Sequence, residues 1–223
     1  MASKPQGTGG RGSARSSPPR SGQGGPARQV RIIGGQWKRT PLPVLDAEGL
    51  RPTPDRVRET VFNWLNHLLD GAWNSVKCLD LFAGTGALGF EAASRGAASV
   101  VMIEGNAAAV RQLEANADRL KAGQVTVRRG DALASVQALA ARGARFQLIF
   151  LDPPYHQDWL VKILPLCSQL LADGGLVYAE AEMPLDGEET PDWLQGWTVA
   201  RADKAGMVFY HLLHRNSAPE IEA

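Results

Sequence analysis

LDLFAGTGALG, Leu79–Gly89, marks a sharp change of periodicity. An apolar strand pattern over Val76–Leu81 breaks into glycines and resumes as a helix over Ala87–Arg95. Glycine at 84 and 86 allows positive φ and lets the backbone approach a ligand where a Cβ would collide. The helix that follows offers its first NH groups to whatever occupies the turn. Gly84, Gly86 and Gly89 spell GxGxxG, a weak signal alone. It gains weight from Glu104, an acid closing the next strand in SVVMIEGN, where a ribose hydroxyl pair would be held. Leu79–Asn106 therefore reads as a nucleoside-binding βαβ unit.

Outward from that unit, strand and helix alternate. Strand Ser99–Ile103 leads to a helix near Ala107–Lys121, strand Val125–Arg129 to Asp131 and a helix ending about Arg142. Strand Phe146–Leu151 ends at DPPY. The helical pattern Trp159–Leu171 contains Pro165, which should kink or break it. Strand Leu176–Glu180 follows Gly174–Gly175, and Trp197–Lys204 pairs with Val208–His214 as an antiparallel hairpin turning at Ala205–Gly206. Repeated βα units predict a parallel sheet with helices on both faces.

Upstream, VRIIGGQWKRTPLPV reads as two short strands around Gly34–Gly35. RPTPDRVRETVFNWLNHLL reads as a helix capped by Thr53 or Asp55, with Val57, Val61, Leu65 and Leu68 on its apolar face. Residues 1–28 hold seven Gly, five Ser, four Pro and four Arg without an aromatic residue, a composition that cannot bury a core. The expected divisions are a disordered basic tail over 1–28, an extension over 29–75, a core over 76–215 and a tail over 216–223. A transit peptide is the competing reading of 1–28, and its lack of apolar residues ranks that lower.

The 223 residues suit one domain, with 44% hydrophobic and 21% charged residues. No apolar run reaches the roughly 20 residues a membrane-crossing helix requires, and no secretory leader is evident. Cys78 and Cys167 stand far apart in apolar segments, and the four histidines share no ligand spacing with them, so neither a disulfide nor a metal is expected. The net charge of +1 conceals an asymmetry. Residues 1–59 carry eleven Lys/Arg against four Asp/Glu, a balance of +7, which leaves −6 for the other 164 residues. A polyanion met by the N-terminal quarter explains this, with Arg31, Lys38, Arg39, Arg51, Arg56 and Arg58 as its contacts. The bland alternative pairs Arg56 and Arg58 with Asp55 and Glu59.

Ligands of such sheets bind at the carboxyl ends of strands. Asp80, Glu104, Asp131 and Asp152–Tyr155 occupy four successive strand ends. Singly, Asp80 could cap the glycine turn and Asp131 the next helix; jointly they describe a site. In Asp152-Pro153-Pro154-Tyr155 the prolines freeze a turn and remove two NH donors, leaving acceptors beside an aromatic face. Such a pocket suits a planar base bearing an amine, stacked on Tyr155. Hydrogen bonds to the Asp152 carboxylate and the Pro153 carbonyl would favour a pyramidal nitrogen and free its lone pair to attack a sulfonium methyl held in line.

D-x-F-x-G-x-G, the acidic strand end and DPPY together resemble S-adenosylmethionine-dependent amino-methyltransferases. RIIGGQWKRTPLPV and GLRPTPDRVRETVFNWL narrow the likeness, from about Val30 to His214, to the RsmD family of bacterial 16S ribosomal RNA guanine-N2 methyltransferases. The resemblance implies a Rossmann-like class I methyltransferase fold: a seven-stranded, mostly parallel α/β sheet with a C-terminal antiparallel hairpin, preceded by a β-hairpin and helix. It implies that Asp80, Phe82, Gly84 and Gly86, with Thr85, surround the methionine moiety of S-adenosylmethionine. Glu104 would take the ribose hydroxyls, Asn106 would lie near the adenosine, and Asp131 and Ala132 would border the adenine. Asp152, Pro153, Pro154 and Tyr155 would hold a flipped guanine of 16S rRNA, within an assembled small-subunit particle. Asn106 stands where relatives often carry Asp. A cytoplasmic monomer is expected. The competing functions are a DNA adenine-N6 methyltransferase, which shares DPPY; an NAD-dependent oxidoreductase, which leaves DPPY unexplained; and a non-catalytic ribosome assembly factor on the same fold.

Overall fold

The structure, a computed structural model, describes residue 1 and residues 29–44, 53–187 and 191–216. The expected tail over 1–28, most of that over 216–223, and Arg51 lie outside the described residues. Strands β1 (Gln29–Arg31) and β2 (Pro41–Pro43) precede helix α1 (Asp55–Leu68). Then follow β3 (Lys77–Asp80), α2 (Ala87–Ser94), β4 (Ser99–Glu104), α3 (Ala107–Leu120), β5 (Val125–Arg129) and α4 (Ala132–Ala141). The chain continues through β6 (Phe146–Leu151), α5 (Trp159–Cys167), β7 (Leu171–Ala181), β8 (Trp197–Ala205) and β9 (Val208–Arg215).

The main sheet runs β5-β4-β3-β6-β7-β9-β8. β3 to β7 are mutually parallel, and β9 enters antiparallel between β7 and β8. The strand order reverses direction between β3 and β6, so a crevice opens beyond Asp80 and Leu151, the last residues of those neighbouring strands.

Alternation along the buried strands divides the core in two. Cys78, Leu148, Phe150 and Tyr178 join α1 and α2 through Val61, Phe62, Leu65 and Phe90. Leu79, Ile149, Leu151 and Val177 face α4 and α5 through Val136, Leu139, Ile163 and Leu164. The two free cysteines are buried on opposite sides, Cys78 in the first cluster and Cys167 in the second. Segment 29–75 shares the first cluster through Ile32, Leu42 and the apolar face of α1.

Three local expectations are corrected. Neither Thr53 nor Asp55 caps α1: Pro54 occupies the cap position without a side-chain bond, the Thr53 hydroxyl is spent elsewhere, and Asp55 lies inside the first turn. The helix expected over Trp159–Leu171 is shorter, ending at Cys167 with Pro165 inside its last turn, where the ring removes one bond to the preceding turn. β7 begins at Leu171, not Leu176: Leu171 pairs with Phe146 before a register shift across Gly174–Gly175.

The Gly34–Gly35 turn is fastened to α2. The NH groups of Ile33 and Gly34 donate to the buried Glu91 carboxylate at 2.6 and 2.8 Å, and Gln36 donates to the Ser94 carbonyl. Gly35 has φ +73°, and a Cβ there would lie 1.9 Å from the Ser94 carbonyl oxygen. Only glycine satisfies both constraints.

Candidate active site

A cavity of about 540 Å³ opens at the crevice, a size that suits a cofactor or substrate. It gathers residues from every parallel strand end, from the start of α1, and from Ala205 and Val208 beside the β8–β9 turn. Of the sequence-derived candidates, Asp80, Phe82, Gly84, Thr85, Glu104, Asn106, Asp131, Ala132 and Asp152 to Tyr155 all line it. Gly86 does not. It starts α2 with φ +78°, and a Cβ there would lie 2.6 Å from Leu113 and Phe90 side-chain atoms, so its lack of a side chain serves the core.

The glycine turn is set by Glu104. One carboxylate oxygen accepts from the Gly84 NH at 2.8 Å and the other from the Asn106 NH at 2.7 Å, tying the loop after β3 to the loop after β4. Asn106 caps α3, accepting from the NH groups of Ala108 and Ala109. Asp131 caps α4 through Ala134 at 2.9 Å. Capping and cavity-lining therefore coexist at 106 and 131.

Asp80 is fully buried, and its Oδ1 has no hydrogen-bond partner among the described residues. Burial pushes its carboxyl up to about 7, against the backbone NH groups of Phe82 and Gly89, which pull it down. An acceptor left unpaired in a cavity wall fits a ligand that brings a donor or a positive charge.

The other end of the cavity is built on two carboxyl groups. The Thr53 hydroxyl lies 2.9 Å from Glu180 Oε1 and 3.2 Å from Asp152 Oδ2, and Tyr178 donates its hydroxyl to the same Glu180 oxygen at 2.7 Å. Asp152 and Glu180 are themselves within hydrogen-bonding reach. Burial, then the charge of Glu180, raise the Asp152 carboxyl well above the carboxylate range. Burial also raises Glu180, but the bonds from Tyr178, Thr53 and Asp152 oppose it. The two carboxyl groups therefore titrate as a pair, in which protonation of one of them is favoured over two neighbouring buried charges.

Sequence reasoning missed Thr53 as a site residue, together with Tyr178, Glu180 and Trp159, whose ring meets Phe82 edge-on at 5.5 Å. Glu180 had a signal: an acid at the end of the apolar run LVYAEA is as anomalous as those ending the other strands. Thr53 had none, because no local pattern reveals contact with residues 99 and 127 positions away.

Arg58 is corrected as a polyanion contact. It is fully buried, donates to Asp55 at 2.6 Å and to the Thr53 carbonyl at 3.3 Å, and lies 3.8 Å from Glu91. The bland reading holds for it. Arg31, Lys38, Arg39 and Arg56 are exposed, Arg31 sharing Asp55 at 2.6 Å.

A parallel sheet with β9 inserted antiparallel, a glycine turn held by an acidic strand end and an acceptor-lined DPPY turn define a methyltransferase of the Rossmann-like α/β type. The family profile described as Conserved hypothetical protein 95 matches residues 30–214. Ribosomal RNA small subunit methyltransferase D of Escherichia coli K12 is 42% identical over 208 residues, 92% of this chain and 98% of that protein. The protein of the same name from Haemophilus influenzae is 38% identical over 190 residues, covering 82% and 93%. The solved structure of the putative methyltransferase yhhF from Escherichia coli superposes with a TM-score of 0.71 at 40% identity, covering 84% of this chain and 98% of that one. The chain belongs to the RsmD family of methyltransferases.

Proposed function

We propose that this protein transfers a methyl group from S-adenosylmethionine to the exocyclic N2 of a guanine in 16S rRNA. The observation that carries the reading is the DPPY turn, with its Asp152–Glu180 pair, in one cavity with the glycine turn and Glu104. The two relatives named above are called ribosomal RNA small subunit methyltransferases, which supports ribosomal RNA as the substrate.

S-adenosylmethionine, when bound, supplies an electrophilic methyl on a sulfonium. Asp80 and the turn Phe82–Thr85 would hold its methionine part, and the Asp80 carboxylate would offer an acceptor to its ammonium group. Glu104 would accept from the ribose hydroxyls, and Asn106, Asp131 and Ala132 would border the base. Asp152 and the Pro153 carbonyl accept the N–H bonds of the guanine amine, which draws its lone pair out of the ring. Tyr155 offers the flipped base a ring to stack on, while the Asp152–Glu180 pair takes the proton that the methylated amine loses.

Arg31, Lys38, Arg39 and Arg56 on the N-terminal extension would contact RNA phosphates, with Arg51 beside them in sequence. The preferred substrate is an assembled small-subunit particle, met by a cytoplasmic monomer. No described helix is long and apolar enough to cross a membrane. The test is incorporation of labelled methyl into bare 16S RNA, small-subunit particles and duplex DNA. Label in the ribosomal substrates alone supports the reading; label in DNA alone overturns it.

A further inference from the structure

Glu180 stands at the carboxyl end of β7 with 4% of its surface exposed, yet it borders the cavity. Burying a carboxylate is costly unless it is paired or hydrogen-bonded. Its two hydroxyl donors, Thr53 and Tyr178, converge on one oxygen, Oε1. An ionised carboxylate offers about four lone-pair sites, so capacity remains for a donor from the cavity. Asp152, the acceptor for the target amine, lies within hydrogen-bonding reach of it. The wall of the cavity therefore presents two neighbouring acceptors from two adjacent strands, β6 and β7.

The Watson–Crick edges of the two amine-bearing purines differ beside the amine. Guanine carries a second donor there, the ring N1–H. Adenine carries a bare ring nitrogen with a lone pair. Two neighbouring acceptors match guanine twice, whereas adenine would aim a lone pair at a carboxylate. Resting on the guanine-N2 reading above, we infer that Glu180 is the specificity-determining residue of this enzyme, accepting the N1–H of guanine while Asp152 accepts its amine. The Tyr178 and Thr53 hydroxyls hold the Glu180 carboxylate in place, and their bonds favour its charged form against the burial that opposes it. Thr53 belongs to the N-terminal extension, so base choice depends on how that extension seats against the core.

The experiment uses small-subunit particles reconstituted with 16S RNA in which the methylated guanine, once located, is replaced by 2-aminopurine. That base keeps the amine and has a lone pair in place of N1–H. The wild-type protein is expected to prefer guanine by roughly 10- to 100-fold in kcat/KM, the discrimination typical of one well-placed base contact. Glu180→Gln, whose amide can donate to a ring lone pair, is expected to lose or invert that preference while still binding S-adenosylmethionine. Equal wild-type rates on both bases overturn the inference without any variant, so a misfolded Glu180→Gln does not rescue it. An unchanged preference in a folded Glu180→Gln overturns it as well. Absence of N2-methylguanosine with the wild type would instead strike the underlying reading of function.

Discussion

Thr53 and Glu180, 127 residues apart, meet at 2.9 Å across the mouth of the sheet, and the same hydroxyl lies 3.2 Å from Asp152. One hydroxyl proton serves one acceptor at a time, so Thr53 bonds whichever carboxyl carries the charge. Removing it should leave the fold intact and disturb the pair. Thr53→Val is expected to lower kcat/KM by about 10- to 100-fold, the worth of one hydrogen bond to a charged group, with cofactor affinity unchanged. An unaltered kcat/KM would show that the contact is only structural.

Asp152 carries the largest demand. Asp152→Ala is expected to reduce methyl transfer by about 10²-fold or more while S-adenosylmethionine still binds. An amide in its place keeps an oxygen acceptor toward the substrate and a donor toward Glu180. Asp152→Asn should therefore exceed Asp152→Ala in rate by about tenfold. Equal loss in both would mean that an ionised Asp152 is required.

Cofactor binding should depend on pH through Asp80. Its carboxyl is raised to about 7 by burial, so near pH 6 it is mostly protonated. A cationic ligand favours the ionised form, and binding must then release that proton. Affinity is expected to weaken by about tenfold per pH unit below 7 and to level off above it. Calorimetry in buffers of different ionisation enthalpy reads the released proton directly, and Asp80→Asn should abolish the dependence. A flat wild-type profile between pH 5.5 and 8 contradicts the assignment.

The arginines divide into two groups. Neutralising Lys38, Arg39 and Arg56 together should weaken RNA binding and reduce the salt slope by about two to three, with melting temperature nearly constant. Arg58→Ala should do the reverse, because it unpairs a fully buried cluster that includes Glu91 and costs about 3–5 kcal/mol of stability. An unaltered salt slope in the triple variant would place the RNA face elsewhere.

Gly35 tests how the extension is attached. Gly35→Ala adds a Cβ 1.9 Å from the Ser94 carbonyl at a positive φ. The turn must detach from α2, at a cost of at least about 1–3 kcal/mol. Thermal unfolding checks this, and an unshifted midpoint would mean that the turn is free to move.

The sequence showed the parallel strands and their acidic ends because those signals are local: apolar runs of four to six residues, glycine where φ turns positive, and an acid where the chain leaves the sheet. Val125–Arg129 and Phe146–Leu151 were legible to the residue. The start of β7 was not, because Gly174–Gly175 reads as a strand boundary although pairing resumes beyond it at Leu171. Arg58 misled because charge in a sequence does not reveal burial; its partner Glu91 belongs to α2. Glu180 was passed over as part of an apolar strand, and only the convergence of Thr53, Tyr178 and Asp152 upon it shows that it belongs to the site.

The most direct measurement is nucleoside analysis of small-subunit particles labelled by the wild-type protein with S-adenosylmethionine. N2-methylguanosine, lost with Asp152→Ala, is the predicted result. N6-methyladenosine in its place, or no methylated nucleoside while the cofactor still binds, would contradict the account.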